Sequence, residues 1–426
     1  MRFTQLSDWL AWQERLHPTT IELGLERPRR VLQRLGWRPP RCPVFVIGGT
    51  NGKGSCVVLL DGILGAAGYR VGTFTSPHLV RYNERITVAG REISDASLIA
   101  AFERIDAARG DISLTFFEFN TLAALLIFET AGLDAWVLEV GLGGRLDAVN
   151  LVDADVAIVS SIALDHCDWL GDDLESIARE KAGIFRADRD AIFGSTQRPR
   201  SIDDEARRIG ARLRSLGVEF GHTAQSGERW SWRGVTQYHS ALPYPGLVGA
   251  VQLDNAATVL AALECVGDRL PVSPECIESG LRAAHLTGRF QIVAPSSGTS
   301  AEWILDVAHN PAAAKTLADN LAARFHDGRT IGVCGMLADK DVDGVIEQLR
   351  DRIDIWIATC ASGGARSLSS TALVAKLTQA GVSVAHVADD VADACAHARD
   401  IARPNDRIVV FGSFHTVGPA LEWLEK

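Results

Sequence analysis

Short apolar runs alternate with amphipathic segments along the N-terminal part of the chain. The runs that predict strands lie at 43–47, 70–74, 135–140, 155–160 and 190–193. Segments with helical periodicity lie between them, at 53–67, 96–108, 117–131 and 174–185. Strands that alternate with helices in this way indicate an α/β fold with a largely parallel sheet.

The same alternation restarts after a turn-rich segment of small residues at 293–300. Predicted strands follow at 302–307, 329–334, 353–359, 382–387 and 406–411, with helices at 311–325, 341–350, 370–379, 390–401 and 416–425. The second series predicts another doubly wound α/β domain of about 130 residues, which is an ordinary domain size. We therefore expect two domains, at 1–293 and 294–426.

Residues from about 195 to 250 are less regular than the rest. They include Trp230, Trp232, Pro243, Pro245 and several glycines. Proline and glycine at this density favour turns over long regular elements. We predict hairpins or long loops here, as an irregular, β-rich or loop insertion in the first domain.

Composition and charge narrow the class of protein. The 426 residues are 47% hydrophobic and 23% charged, as expected for a globular chain of two domains. The formal net charge of −10 argues against a general nucleic-acid binder, because that role needs a basic surface. The apolar runs are too short or too interrupted to cross a bilayer, so no membrane partner is expected.

The first residues lack the apolar core and cleavage site of a signal peptide, which predicts a cytoplasmic location. The eight cysteines include no Cys-x-x-Cys pair, so we expect reduced thiols and neither a zinc ribbon nor a disulfide framework. No surplus amphipathic helix or exposed heptad stands out, which favours a monomer.

A glycine-rich turn follows the first predicted strand: Val-Phe-Val-Ile-Gly-Gly-Thr-Asn-Gly-Lys-Gly-Ser at 44–55. Its glycines let backbone N–H groups close around an anion, and the helix that follows points its positive end there. Lys53 can pair with nucleotide phosphates, and Ser55 can reach a metal ion. A standard P-loop has glycine where this chain has Ile47, so the loop is shorter. We interpret it as a phosphate site; a turn that binds nothing is the alternative.

Glu139 ends the predicted strand at 135–140. Ligands of open α/β sheets lie at the carboxyl ends of the strands, so this carboxylate stands where an acidic metal ligand is needed. A carboxylate in an apolar strand is costly unless a cation or a donor accompanies it. A buried ion pair with Arg145 is the alternative.

His166 and Ser76 follow two other predicted strands. His166 can bind a metal ion through a ring nitrogen, which would leave room for Mn²⁺ beside the oxygen-preferring Mg²⁺; a structural histidine is the alternative. Ser76 lies at a proline turn and can complete a metal shell, although this region can also form a charged surface loop.

Lys181 is followed by small and apolar residues in a predicted helix. A partly buried lysine loses its proton readily and can become neutral or modified. On residue type alone, a solvated surface lysine is the alternative.

In the second domain, Asp306, His309 and Asn310 follow a predicted strand, and Pro311 begins a helix. Such a group can hold a ribose or a phosphate. Arg289 offers a cation to a nucleotide between the domains. Ordinary helix capping is the alternative for these residues.

Together these segments resemble the folylpolyglutamate synthase and dihydrofolate synthase family, within the Mur-type ATP-dependent ligases. The resemblance covers nearly the whole chain and includes Gly-Thr-Asn-Gly-Lys-Gly-Ser, Ser-Pro-His-Leu-Val-Arg and Asp-Val-Ala-His-Asn-Pro. The matching segments lie at 20–27, 49–55, 76–81, 114–119, 139–147, 164–166, 179–183, 306–311 and 412–415. Segments 79–82, 116–118 and 146–148 look most like the bacterial bifunctional enzymes.

The resemblance implies an N-terminal P-loop ATPase-like domain of the Mur central type and a smaller, Rossmann-like C-terminal domain. It implies that ATP is held by Thr50, Asn51, Gly52, Lys53, Gly54, Ser55, Asn255, Arg289 and Asp306. It places Mg²⁺, or Mn²⁺, on Ser55, Ser76, Glu139 and His166. It also implies which residues bind the pterin side of the acid substrate: Leu16, His17, Thr115, Phe116, Phe117, Leu146, Asp147 and Ala148.

Lys181 matches the carbamylated lysine of the family, an N6-carboxylysine, and catalysis is expected from Lys53, Glu139, His166 and Lys181. The implied reaction joins L-glutamate to 7,8-dihydropteroate, and to reduced folates, through an acyl phosphate. A synthase that only lengthens folates is one alternative. Another is a Mur ligase for a nucleotide-linked acid, and a third is an ATP-dependent switch with no ligase step.

Overall fold

The computed structural model describes residues 2–293 and 301–425 of the chain. Its first sheet has eight strands in the order β4-β3-β2-β5-β1-β6-β7-β8. The strands are β1 Val44–Gly48, β2 Val71–Phe74, β3 Ile86–Val88, β4 Arg91–Glu92, β5 Ala135–Glu139, β6 Val156–Val159, β7 Asp190–Phe193 and β8 Arg212–Ser215. All pair in parallel except β3 and β4, which add an antiparallel edge.

Helices cover both faces of this sheet, as the unbroken apolar strands require. Along β1, Val44 and Val46 face one core, whereas Phe45 and Ile47 face the other. The helices are α1 Leu6–Gln13, α2 Glu26–Leu35, α3 Lys53–Ala66, α4 Asp95–Arg109, α5 Phe116–Thr130, α6 Cys167–Leu170, α7 Leu174–Ala182, α8 Arg200–Ile209, α9 Val251–Cys265 and α10 Pro274–Ala283. We call this sheet and its helices the first unit.

The segment 195–250 is more regular than its sequence indicates. It contains helix α8 and strand β8, which forms the parallel edge of the first sheet. The prediction missed β8 because Arg-Leu-Arg-Ser reads as a polar loop. As an edge strand it is only partly covered, and Arg212 and Arg214 both pair with Asp190 of β7.

The remainder of that segment contains a hairpin sheet. Its antiparallel strands are β9 Gly221–Gln225, β10 Arg229–Arg233 and β11 Tyr238–Pro243. Trp230 and Trp232 of β10 are fully buried in the core beneath α9, and the indole of Trp232 donates a hydrogen bond to the carbonyl of Ala257. The two tryptophans therefore fasten the small sheet to the first unit.

The second sheet has six strands in the order β12-β13-β17-β14-β15-β16. They are β12 Gln291–Val293, β13 Glu302–Asp306, β14 Thr330–Cys334, β15 Ile355–Ala358, β16 Val384–Val387 and β17 Arg407–Phe411, and only β12 is antiparallel to its neighbour. The helices around it are α11 Pro311–Ala323, α12 Val342–Leu349, α13 Ser370–Gln379, α14 Val391–Ile401 and α15 Phe414–Leu424. This second unit also has a core on each face of its sheet, so the predicted α/β class is confirmed.

The boundary predicted between residues 293 and 294 stays a prediction. Most of its turn-rich segment, 294–300, lies outside the described residues. Strand β12, at 291–293, is hydrogen bonded to β13 in the second sheet.

A loop of the first unit packs into the second. Leu79 and Val80 lie against the core formed by β13, β14, β17, α14 and α15. Gly418 of α15 comes so close that an added Cβ would lie 2.2 Å from the carbonyl oxygen of Leu79. The contact between the units therefore requires glycine at this position.

Replacing Gly418 by alanine should weaken this contact, because the new methyl group overlaps a backbone atom that has little room to move. We expect Gly418→Ala to destabilise the chain by about 1–3 kcal/mol, as overpacking commonly does. The measurement is the urea-denaturation midpoint. Gly65→Ala is the matched control: Gly65 lies in α3, and a Cβ added there would have no atom outside its own helix backbone within 4 Å. Alanine at this position should be neutral or stabilise by up to about 1 kcal/mol. Equal midpoints for the two variants would contradict the steric explanation.

Candidate active site

The glycine-rich turn connects β1 to α3 at the carboxyl edge of the first sheet. Gly49 and Gly52 have φ angles of 134° and 88°, which favour glycine. Hydrogen bonds tie the turn to the end of β6: the Ser160 hydroxyl donates to the Asn51 carbonyl at 2.7 Å, and the Thr50 N–H donates to the Ser161 carbonyl at 2.8 Å. The short loop is therefore a preformed cradle rather than a mobile turn.

Lys53 begins α3 and folds back over the turn. Its Nζ donates to the carbonyls of Gly49 and Thr50, both at 3.1 Å. Burial lowers the pKa of Lys53, while the nearby Glu139 carboxylate opposes that shift. The lysine thus lies at the phosphate cradle, where its hydrogen bonds within the described residues go to neutral carbonyl groups.

Glu139 is buried at the end of β5, in register with Ile47 of β1. Its Oε2 accepts a hydrogen bond from the Ser76 N–H at 3.3 Å. Burial raises the pKa of Glu139, and the charge of Lys53 lowers it in part. The alternative partner is excluded, because Arg145 pairs instead with Glu180 at 2.9 Å.

Lys181 of α7 is buried as well, which excludes the solvated surface lysine. Its Nζ donates to the Gly49 carbonyl at 3.0 Å. Burial and the neighbouring Lys53 charge lower the pKa of Lys181 to about 7. A substantial fraction of this amine is therefore neutral near pH 7, and a neutral amine is a nucleophile.

His166 and Asp165 lie beyond β6, where the second unit meets the first. Lys340, on the loop after β14, places its Nζ 2.8 Å from Asp165 Oδ1 and 3.4 Å from His166 Nε2. Asn310 donates to Asp165 Oδ2 at 3.1 Å and exchanges hydrogen bonds with the Asn51 side chain. Burial lowers the pKa of His166 to about 4, so its imidazole is neutral at pH 7.

Three further residues that were predicted to bind ATP, Asn255, Asp306 and Arg289, also lie beside the glycine-rich turn and Glu139. Asn255 of α9 lies against Gly52, whose added Cβ would be 2.6 Å from Asn255 Oδ1. Asp306 ends β13 and accepts the N–H groups of Phe290 and Ala308 at 2.9 and 2.8 Å. Burial raises the pKa of Asp306, and Arg289 opposes that rise.

These groups, from both units, line one cavity of about 260 Å³. The predicted ATP and metal residues that line it are Thr50, Asn51, Gly52, Lys53, Gly54, Ser55, Ser76, Glu139, His166, Lys181, Asn255, Arg289 and Asp306. A second, more apolar cavity of about 330 Å³ adjoins it, lined by the predicted pterin residues Thr115, Phe116, Phe117, Leu146, Asp147 and Ala148. Ser76, Pro77, Gly141, Leu142, His166, His309 and Phe414 line both cavities.

Leu16 and His17 are not brought to either cavity lining. His17 instead bonds to the Ser113 hydroxyl at 2.9 Å and to Glu22 Oε2 at 2.8 Å. Glu22 lines the apolar cavity, so His17 contacts a lining residue without lining the cavity itself. Leu16 packs against the core of the first unit.

Sequence reasoning missed Lys340, Ser160 and Arg85 as parts of the site. Lys340 had a usable signal, since Asp339-Lys340-Asp341 follows an apolar strand at the sheet edge where ligands bind. Ser160 had none, because a serine after a strand is common. Arg85 had none either, because it lies in a charged stretch that can form a surface loop.

Comparisons with known proteins agree with this geometry. The Mur ligase middle domain matches residues 47–262, and the Mur ligase, glutamate ligase domain matches residues 288–414. An Escherichia coli (strain K12) protein named dihydrofolate synthase/folylpolyglutamate synthase is 47% identical over 421 residues, 99% of this chain and 96% of that protein. The chain belongs to the dihydrofolate synthase/folylpolyglutamate synthase family.

Two solved members of the family have the same architecture. E. coli FolC in complex with DHPP and ADP has a TM-score of 0.93 at 46% identity, covering 99% of this chain and 98% of that chain. A bifunctional folylpolyglutamate synthase/dihydrofolate synthase with Mn, AMPPNP and L-glutamate bound has a TM-score of 0.90 at 45% identity, with coverage of 99% and 98%. As a family member, this chain is an ATP-dependent ligase, and the predicted Mur-type fold is confirmed.

The low pKa of Lys181 predicts a pH-dependent stability. Between a folded pKa of about 7 and an unfolded value near 10.4, the unfolded chain holds a proton that the folded chain lacks. The free energy of unfolding of the wild type should therefore rise between pH 7 and pH 9 relative to Lys181→Met. Urea denaturation at the two pH values measures this difference.

Lys315→Met is the control for this experiment, since Lys315 is an exposed lysine paired with Asp319 on α11. It should show no comparable change with pH. If Lys181→Met and the wild type have the same pH slope, Lys181 keeps an ordinary pKa.

Proposed function

We propose that this ligase joins L-glutamate to 7,8-dihydropteroate, and adds further glutamates to reduced folates, through an acyl phosphate. The observation that carries the proposal is the junction of the two cavities at Ser76, Leu142 and His166. A nucleotide in the polar cavity and an acid in the apolar cavity would meet there. DHPP, ADP, AMPPNP and L-glutamate bound to the two solved relatives support this assignment.

The nucleotide would lie between the two units. Thr50 to Ser55 offer backbone N–H groups and Lys53 to the phosphates. Asn255, Arg289 and Asp306 would contact the remainder of ATP. Because these residues come from both units, ATP would hold the units together during the reaction.

Ser55, Ser76, Glu139 and His166 fit a divalent metal ion. They supply hydroxyl oxygens, one buried carboxylate and one neutral imidazole, and in the part of the chain that the structure describes no three His, Cys, Asp or Glu residues cluster as a metal cage. With so few protein ligands, the site leaves positions for water and phosphate oxygens, which Mg²⁺ usually keeps. The imidazole also allows Mn²⁺ to bind. Such an ion neutralises phosphoryl charge when bound.

The acid substrate would place its pterin among Phe116, Phe117 and the 146–148 turn. Asp147 accepts backbone N–H groups of Leu142 and Val149 at 2.9 Å, which holds this turn in shape. Burial raises the pKa of Asp147 to about 6. Leu16 and His17 would act on this pocket only from behind Glu22.

In the reaction, the substrate carboxylate attacks the γ-phosphorus and ADP leaves. The amine of L-glutamate then attacks the acyl carbon, and phosphate leaves as the amide forms. Lys53 stabilises the charge that develops on the transferring phosphoryl group. His166 and Glu139 would hold the metal ion, which when bound would neutralise charge at the reacting end of the nucleotide.

Lys181 would serve as a carbamate. Its buried amine, when neutral, can add to carbon dioxide with loss of one proton, which turns a cation into an anion beside the metal site. Its burial and its pKa of about 7 support this modification. Lys181→Ala should then lose activity that short carboxylic acids restore in part; an unmodified amine in well-resolved crystals would count against it.

Its partners would be small molecules. Within residues 2–293 and 301–425, no helix is long and apolar enough to span a membrane. The acidic net charge favours neither nucleic acid nor an anionic membrane as a partner. A cytoplasmic location and a monomeric state complete the proposal.

The deciding assay supplies ATP, L-glutamate and either dihydropteroate or tetrahydrofolate, and identifies the products by mass. We expect both acids to gain one glutamate per ADP and phosphate released. If only tetrahydrofolate gives a product, the protein is a synthase that lengthens folates and does not make dihydrofolate. Turnover of a UDP-linked muramyl acid, or nucleotide binding without any amide product, would overturn the proposal.

Lys53→Ala and Glu139→Ala should each lower kcat/KM by about 100-fold or more, because Lys53 would stabilise the charge of the transition state and Glu139 would hold the metal ion that does so. Thermal melting tests whether each variant remains folded. Lys376→Ala is the matched control: this lysine is partly exposed, pairs with Asp343 away from the site, and its loss should leave wild-type turnover. Near-normal turnover in either folded active-site variant would exclude the role assigned to that residue.

A further inference from the structure

Arg85 is a buried arginine in the wall of the apolar cavity. It ends the single-turn 3-10 helix Tyr82–Arg85 just before β3, and only 7% of the residue is exposed. Its guanidinium carbon lies 5.7 Å from the Tyr82 ring centre and 5.6 Å from that of Phe116. The aromatic rings thus hold the guanidinium in place beside the pterin pocket.

The guanidinium has little else to bind. Its Nε donates to His78 Nδ1 at 2.8 Å. Burial and the Arg85 charge lower the pKa of His78 to about 4, so this histidine is a neutral acceptor at pH 7 and supplies no negative charge. One hydrogen bond leaves most of the N–H groups of an arginine free for another acceptor.

The acidic residues nearby do not neutralise Arg85. The carboxylate of Glu84, next in the chain, accepts the backbone N–H groups of Leu79, Val80 and Arg81 at 2.8, 2.9 and 2.5 Å. The charge of Glu139 acts on Arg85 without forming an ion pair. Among the residues that the structure describes, no carboxylate pairs with Arg85 within 4.0 Å.

An unpaired buried cation is costly, and an anion in the cavity would remove that cost. Ser76 lines the apolar cavity together with Arg85, and it also lines the polar cavity at the glycine-rich turn. A carboxylic acid that fills the apolar cavity is ionised at pH 7. Its carboxylate must lie near this junction if it is to reach the γ-phosphate.

We propose that Arg85 binds the carboxylate of the acid substrate and orients it for attack on the γ-phosphate. The inference rests on the proposed function for the identity of the acid. The planar guanidinium can grip both carboxylate oxygens, which an ammonium group cannot do with the same geometry. Arg85 would therefore distinguish the acid from an uncharged analogue of the same shape.

The experiment compares the binding of dihydropteroate and its carboxamide, each in the presence of ADP and Mn²⁺ and without turnover. The wild type should prefer the acid by about 10- to 100-fold, the range expected for a hydrogen bond between charged groups. Arg85→Gln, which keeps a donor for His78, should bind both ligands within about threefold by the same reasoning. The carboxamide should bind both proteins alike.

Arg81→Gln is the matched control. Arg81 lies four residues earlier, is largely exposed and pairs with Glu92 at 3.6 Å, outside the cavity lining. It should keep the wild-type preference for the acid. Arg85→Lys, which keeps the charge but loses the planar fork, should show an intermediate preference.

Retention of the full acid preference by folded Arg85→Gln would overturn the inference, and so would a wild type without any preference. If Arg85→Gln fails to fold, Arg85→Lys decides: a reduced acid preference with unchanged carboxamide affinity supports the role, whereas an unchanged preference contradicts it. Failure of the wild type to form an amide product from dihydropteroate would instead reject the proposed function, which a binding preference does not test.

Discussion

The carboxylate of Asp165 joins the two units at the point where their sheet edges meet. It belongs to the first unit, yet its partners Lys340, Asn310 and His309 all belong to the second. Burial raises the pKa of Asp165, but its bond to His309 and the nearby positive charges outweigh that effect and hold the pKa well below its ordinary value. Asn310 extends the contact to Asn51 in the phosphate turn. The cavity at the phosphate turn is therefore built from residues of both units.

The site concentrates buried charges from both units. Lys53 and Glu139 oppose each other's desolvation in the first unit, and Arg289 and Asp306 do so in the second. Asp165 and Asp147 act on Lys181 in the same way, and Glu139 and Glu84 act on Arg85. Among the described residues, however, no carboxylate pairs with either cation within 4.0 Å, and each cation lines a cavity. Charges of this kind are stable when a ligand supplies the opposite charge, which gives ligand binding a direct effect on the site.

Most of the fold could be predicted from periodicity, because buried parallel strands are apolar throughout and the helices between them are amphipathic. Strand β8 could not, since its arginines are satisfied by Asp190 and Glu264, which are distant in sequence. In the site, Lys53 and Glu139 were predictable because each follows a strand at the edge where ligands bind. Lys340 was harder, as its partner lies 175 residues away.

The sequence by itself determined the α/β class, the phosphate turn and the family, because local spacing and strand periodicity leave few alternatives. It also predicted roles for Lys53, Glu139 and Ser55 from their positions at the carboxyl ends of strands. Only the tertiary structure decided between the two interpretations of Lys181, excluded Arg145 as the partner of Glu139, and showed that no carboxylate of the described residues pairs with Arg85 within 4.0 Å. These outcomes depend on burial and on contacts between distant segments, and neither property is encoded in local sequence.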